Sequence, residues 1–149
     1  MPDVTTATRS STAACVDASL LVRVLDAPRY PEVQRAWLDL VADEVELVAP
    51  TLLHYEVSNA LHQQQRAGAV TVELAREGLR RALALPIALH GEPSLHIRAS
   101  ELAVEHRLPA AYDAHYLALA ERFRAPLWTC DRRLHAAVGE ALPWVRLVG

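Results

Sequence analysis

The chain has 149 residues, a length that one hydrophobic core can organise. With 52% hydrophobic and 22% charged residues, nine prolines and five glycines, it is a folding composition and excludes a disordered, collagen-like or low-complexity chain. Fifteen bases, every one an arginine, stand against eighteen acids for a net charge of −3, which argues against nucleic-acid binding through a broad basic surface. Any such binding would need a local positive charge, such as a bound cation. No apolar run reaches the length of a membrane-spanning helix. The first fourteen residues are rich in Ser and Thr and lack the basic start and apolar run of a secretory signal, so a cytoplasmic location is expected. Cys15 and Cys130 have no CxxC partner and read as small buried hydrophobes.

In chain order, residues 1–14 read as a flexible tail and 15–149 as one domain. Residues 14–16 form a short apolar strand, followed by a helix that Asp17 or Ser19 would cap and that Pro28 stops. Val33, Trp37, Leu40 and Val41 repeat at helical spacing over 31–42. A β-branched strand over 45–49 is bounded by Pro50, and a helix over 51–67 carries the stripe Leu53, Val57, Ala60 and Leu61 before Gly68. A helix capped by Thr71 runs to 84, and residues 87–89 form a third strand. Helices follow over 94–107 and 112–123, separated by Pro109. A fourth strand covers 127–130, a short helix 132–138, and a fifth strand 144–148. Short apolar strands alternating with helices predict a three-layer α/β/α sandwich around a mostly parallel five-stranded sheet.

In such a sheet, ligands sit beyond the carboxyl ends of the strands, where the strand order reverses. Asp17 ends the first strand and Asp131 the fourth; Asp113 lies in the first turn of its helix, and Glu56 is mid-helix with Asn59 one turn on. Taken singly, each has a structural explanation. The aspartates would serve as helix caps or complements to a helix dipole, and Glu56 as a solvated residue. Arg132 and Arg133 could hold phosphates or form a solvated helix face. His54 and His115 lie two residues from motif acids and off their helical faces, and Trp37, Trp128 and Trp144 read as core.

Four segments together resemble the PIN-domain ribonucleases, specifically the VapC-type toxins of toxin–antitoxin pairs. Val16-Asp17-Ala18-Ser19 resembles the family's opening strand-end motif, and Pro50 through Glu56 to Asn59 its proline-to-glutamate helix. Leu108-Pro109 with Tyr112-Asp113-Ala114-His115-Tyr116-Leu117-Ala118-Leu119-Ala120 resembles the third motif. Trp128-Thr129-Cys130-Asp131-Arg132-Arg133-Leu134 resembles the fourth. The likeness runs from about residue 15 to the end; the sixteen residues before Asp17 exceed the family's usual start and place the expected start codon further in.

The resemblance implies that Asp17 and Asp131 meet on adjacent strands and that Asp17, Glu56, Asp113 and Asp131 form one catalytic, metal-binding set. Ser19, Asn59 and Thr129 would support it. Clustered carboxylates repel and raise one another's pKa, and Mg²⁺, or Mn²⁺ in its place, relieves that strain and draws a phosphodiester into an acidic cleft. The implied activity is endoribonuclease cleavage by water, leaving a 5′-phosphate and a 3′-hydroxyl. The implied partners are an RNA substrate, a small antitoxin and a second copy of the chain, with no membrane. A haloacid-dehalogenase-like phosphatase would need an acid at the position of Ser19 and a lysine, which the chain lacks. The standing alternative is a PIN-like module that binds RNA or protein without cutting.

Overall fold

The computed structural model describes residues 12–149. The expected tail over 1–14 therefore lies mostly outside the described residues, while Ala13 and Ala14 belong to the first strand. The chain runs β1 (Ala13–Val16), α1 (Ala18–Leu25), a 3-10 turn (Ala27–Arg29), α2 (Pro31–Ala42), β2 (Glu46–Pro50), α3 (Leu52–Arg66) and α4 (Val72–Ala84). It continues through β3 (Ile87–His90), α5 (Pro93–Glu105), α6 (Tyr112–Phe123), β4 (Leu127–Thr129), α7 (Arg132–Val138) and β5 (Val145–Leu147).

The strands form one sheet in the order β3-β2-β1-β4-β5, and every neighbouring pair is parallel. From β1 the chain moves outward to β2 and β3, then returns to the other side of β1 for β4 and β5. Right-handed crossovers then put α1–α4 on one face and α5–α7 on the other. The helix contacts agree: α1 packs against α2, α3 and α4, whereas α5 packs on α6 and α6 on β1 and β2. This is the expected three-layer sandwich.

The central strands are buried on both faces, with Cys15, Val16, Val48, Ala49 and Leu127 inaccessible to solvent. That explains why they read as continuous apolar runs and not as alternating ones. Gly68, at φ 73°, ends α3 in the left-handed conformation that an L side chain rarely adopts. Thr71 caps α4, its Oγ1 accepting from Leu74 N at 3.1 Å. Cys130 falls just beyond β4, and β5 is shorter than expected because Val145–Leu147 alone has a partner strand.

Candidate active site

The reversal of strand order lies between β1 and β4, where Cys15 pairs with Leu127 and Val16 with Trp128. The residue after each pair, Asp17 on one strand and Thr129 on the other, therefore stands at the carboxyl edge. They are the buried polar or charged side chains among the described residues, at 5% and 0% exposure. Asp17 caps α1: its Oδ1 accepts from Leu20 N at 3.0 Å and from Ser19 Oγ at 2.7 Å. Its Oδ2 accepts from Thr129 Oγ1. Ser19 Oγ in turn accepts from Cys130 N at 2.9 Å, and Thr129 Oγ1 from Asp131 N at 2.9 Å. Two hydroxyls thus tie the start of α1 to the end of β4. Burial pushes the Asp17 carboxyl up to about 6; the bonds from Thr129, Ser19 and Leu20 oppose the rise, and the charge of Asp113 adds to it.

Glu56 projects from the second turn of α3 and is half-buried. Burial raises its pKa, a 2.7 Å bond from the Tyr116 hydroxyl opposes this, and the charges of Asp113 and Asp17 push it further up. Asp113, in the first turn of α6, is raised by burial and then by the charge of Asp131. Asp131 caps α7, its Oδ1 accepting from Arg133 N at 2.9 Å and Leu134 N at 3.1 Å. The fields of all four acids therefore overlap. Their oxygens are not gathered into a cage, however: among the described residues no three His, Cys, Asp or Glu side chains stand close enough together to hold a metal ion. Asp17 and Asp131 are turned toward the N–H groups of the helices they cap, and Glu56 toward the Tyr116 hydroxyl.

Asn59, expected to fix Glu56, is exposed on α3, and the bond to Glu56 comes from Tyr116. Tyr116 was missed because an aromatic inside an apolar helix reads as core. Its position one turn after Asp113, on the same helical face, was the available signal.

The donors offered to a ligand are carboxylate and hydroxyl oxygens, which suit a hard divalent cation. Thiolates are not available: burial raises Cys15 well above its ordinary range and carries Cys130 up to about 11. His115 is committed elsewhere, its Nδ1–H donating to the Ala111 carbonyl at 2.7 Å and its Nε2 lying 2.9 Å from His96 Nδ1. Arg132 donates to the Gly149 carbonyl at 2.8 Å, and Arg133 is exposed. Trp37 is core; Trp128 is only partly buried and lies under the Arg146 guanidinium, 5.2 Å from its ring centroid. Beside the acids, Ser19 and Glu56 open onto a recess of about 350 Å³ between α1 and α3, lined also by Arg23, Tyr30 and Gln64.

A fold with this strand order and acids at the β1/β4 edge defines a class, and comparison with known proteins agrees. The PIN domain family model matches residues 14–140, and the chain belongs to that family. It is 38% identical over 89 residues to ribonuclease VapC3 of Mycobacterium tuberculosis, in two strains. That stretch is 60% of this chain and 63% of VapC3, so the match spans less than two thirds of the relative's length. Among solved structures, PAE2754 from Pyrobaculum aerophilum superposes with a TM-score of 0.65 at 28% identity, covering 85% of this chain and 80% of that one. The M. tuberculosis toxin VapC20 superposes with a TM-score of 0.62, covering 84% and 95%, and at 20% identity it is a likeness of fold alone.

Proposed function

We propose that this chain is a Mg²⁺-dependent endoribonuclease, with Mn²⁺ able to replace Mg²⁺, acting in the cytoplasm as the toxin of a toxin–antitoxin pair. Cutting RNA would stop translation and growth. The observation that carries the reading is geometric: Asp17 and Asp131 follow the adjacent strands β1 and β4 at the sheet's switch edge, with Asp113 and Glu56 near enough for their charges to be felt there. Ionised together they are unfavourable, and a divalent cation is the simplest partner that would make them favourable. The likeness to the ribonuclease VapC3 supports the same conclusion.

Asp17, Asp113 and Asp131 would hold the cation directly or through water, Asp17 through the lone pair of Oδ2 that Thr129 leaves free. Bound there, it supplies Lewis acidity at the scissile phosphate and offsets the charge of the acids. Glu56 would either join them at the cation or orient the attacking water and take up its proton. Water would attack phosphorus in line with the 3′ oxygen; the P–O3′ bond breaks and the departing oxygen takes a proton from solvent, leaving a 5′-phosphate and a 3′-hydroxyl. Ser19 and Thr129 hold Asp17 throughout. Asn59, exposed one turn on from Glu56, would hold it only in the loaded site. A small antitoxin that covers the cleft and a second copy of the chain complete the partners.

The lack of a closed three-ligand cluster among the described residues favours one rival, a PIN-like module that binds RNA or protein without cutting. Incubating purified protein with single-stranded RNA in Mg²⁺ or in EDTA separates the two. Cleavage that EDTA abolishes and that Asp17→Asn lacks is the expected result. Retained RNA binding with no chelator-sensitive cleavage gives the answer to the module, and full activity in Asp17→Asn removes Asp17 from the site. Expression alone should arrest growth, and co-expression of the adjacent small gene should relieve it.

A further inference from the structure

The two acids with the firmest hydrogen bonds across the fold receive them from hydroxyls on other elements. Asp17 receives one from Thr129, and Glu56 one from Tyr116, sixty positions away. Tyr116 is 1% exposed and belongs to the hydrophobic core, its backbone carbonyl met by Cys15 Sγ at 3.7 Å. It lies one turn after Asp113, so a single face of α6 both supplies one acid and grips another. Glu56, by contrast, is half-buried on a long flexible side chain, and the Tyr116 hydroxyl is its hydrogen-bond partner in the structure.

We propose that Tyr116 is a positioning residue for Glu56: its packed phenol clamps Oε1, leaving Oε2 as the one oxygen Glu56 presents to the acid cleft. This deepens the nuclease reading and rests on it. A rigid ring suits the task, because two packed torsions fix the donor while a hydroxyl on a short side chain could not span from α6 to α3. Without the clamp, Glu56 samples rotamers in which neither oxygen faces the cleft. The simpler account is that a buried tyrosine merely needs an acceptor for its hydroxyl. That account places the effect of losing the hydroxyl in stability and not in the site.

Tyr116→Phe keeps the ring and its packing and deletes the donor. The kcat for Mg²⁺-dependent RNA cleavage should fall about 10-fold, with KM within about twofold. Mn²⁺ affinity, followed by isothermal titration without RNA, should weaken about threefold. In a Glu56→Ala background the same substitution should change Mn²⁺ affinity no further. Wild-type kcat and Mn²⁺ affinity in Tyr116→Phe would overturn the inference, as would an equal loss of affinity in both backgrounds, which would make Tyr116 a packing residue. A wild-type protein that binds Mn²⁺ but cuts no RNA defeats the nuclease reading instead, and the isotherms alone then decide the role of Tyr116. One that binds no Mn²⁺ defeats both.

Discussion

Asp17→Asn should make the metal-free protein more stable at neutral pH while removing its activity. The folded carboxyl is raised from 3.8 to about 6, chiefly by burial, and that difference corresponds to about 3 kcal/mol. Its sign follows from which state releases the proton first. Below 3.8 both states carry it, and ionisation of Asp17 has no effect on stability. Between 3.8 and about 6 the unfolded chain ionises ahead of the folded one, so rising pH favours unfolding; above about 6 the deficit is constant. Asparagine removes the charge and keeps most of the contacts. Its Oδ1 can still accept from Ser19 Oγ and Leu20 N, while its amide faces Thr129, whose hydroxyl must then turn to accept. Ser19 Oγ, 3.2 Å from Thr129 Oγ1, can take the displaced proton. Allowing about 1 kcal/mol for that rearrangement leaves a net gain of about 2 kcal/mol, or roughly 4–8 °C in Tm.

Urea unfolding in EDTA across about pH 4–8 measures this directly. The stability difference should be near zero at about pH 4, grow to about pH 6.5 and then level. Saturating Mn²⁺ should reverse the ranking by stabilising the wild type alone, by about 2.7 kcal/mol at a hundred times its Kd. A variant no more stable than wild type at about pH 7.5, or a gap independent of pH, would refute the claim that Asp17 is held ionised at a deficit.

Thr129→Val keeps the shape of a wholly buried side chain but removes the donor to Asp17 and the acceptor for Asp131 N; stability measured by urea should drop about 1–3 kcal/mol. Mn²⁺ binding should weaken as pH falls through about 6, because protons compete for Asp17, and titrations in buffers of different ionisation enthalpy should show proton release on binding. Gly68→Ala should lower stability by about 1 kcal/mol through its left-handed φ of 73°, with kcat unchanged because α3 ends far along the chain from Glu56.

The elements were legible because their local signals agree with the topology. Pro31 and Pro50 mark boundaries, Thr71 caps α4, Gly68 closes α3, and the two-sided burial of β1, β2 and β4 shows as unbroken apolar runs. What was not legible depends on long separations. The Tyr116–Glu56 bond joins residues sixty apart, and the Ser19–Thr129 pair residues 110 apart; no local pattern specifies either. The commitment of Arg132 to Gly149 is equally hidden, since the same residue types would serve a phosphate.

Asp17 and Asp131 show why residue type alone could not separate cap from ligand. A parallel strand that ends at the carboxyl edge and turns into a helix needs an acceptor for the first free N–H groups, and aspartate is among the best. The same edge is where an α/β sheet holds its ligands. Both aspartates do cap their helices, so the structural explanation for each is correct. An ordinary cap, however, satisfies its helix in contact with water. Asp17 is 5% exposed, accepts from three donors and is still raised to about 6, with Asp113 pressing on it from another helix. A helix start gains nothing from that burial that a serine could not supply without the charge. An ionisable group in a dry position is what the proposed cation would account for, and this distinction becomes visible only when burial and long-range neighbours are known.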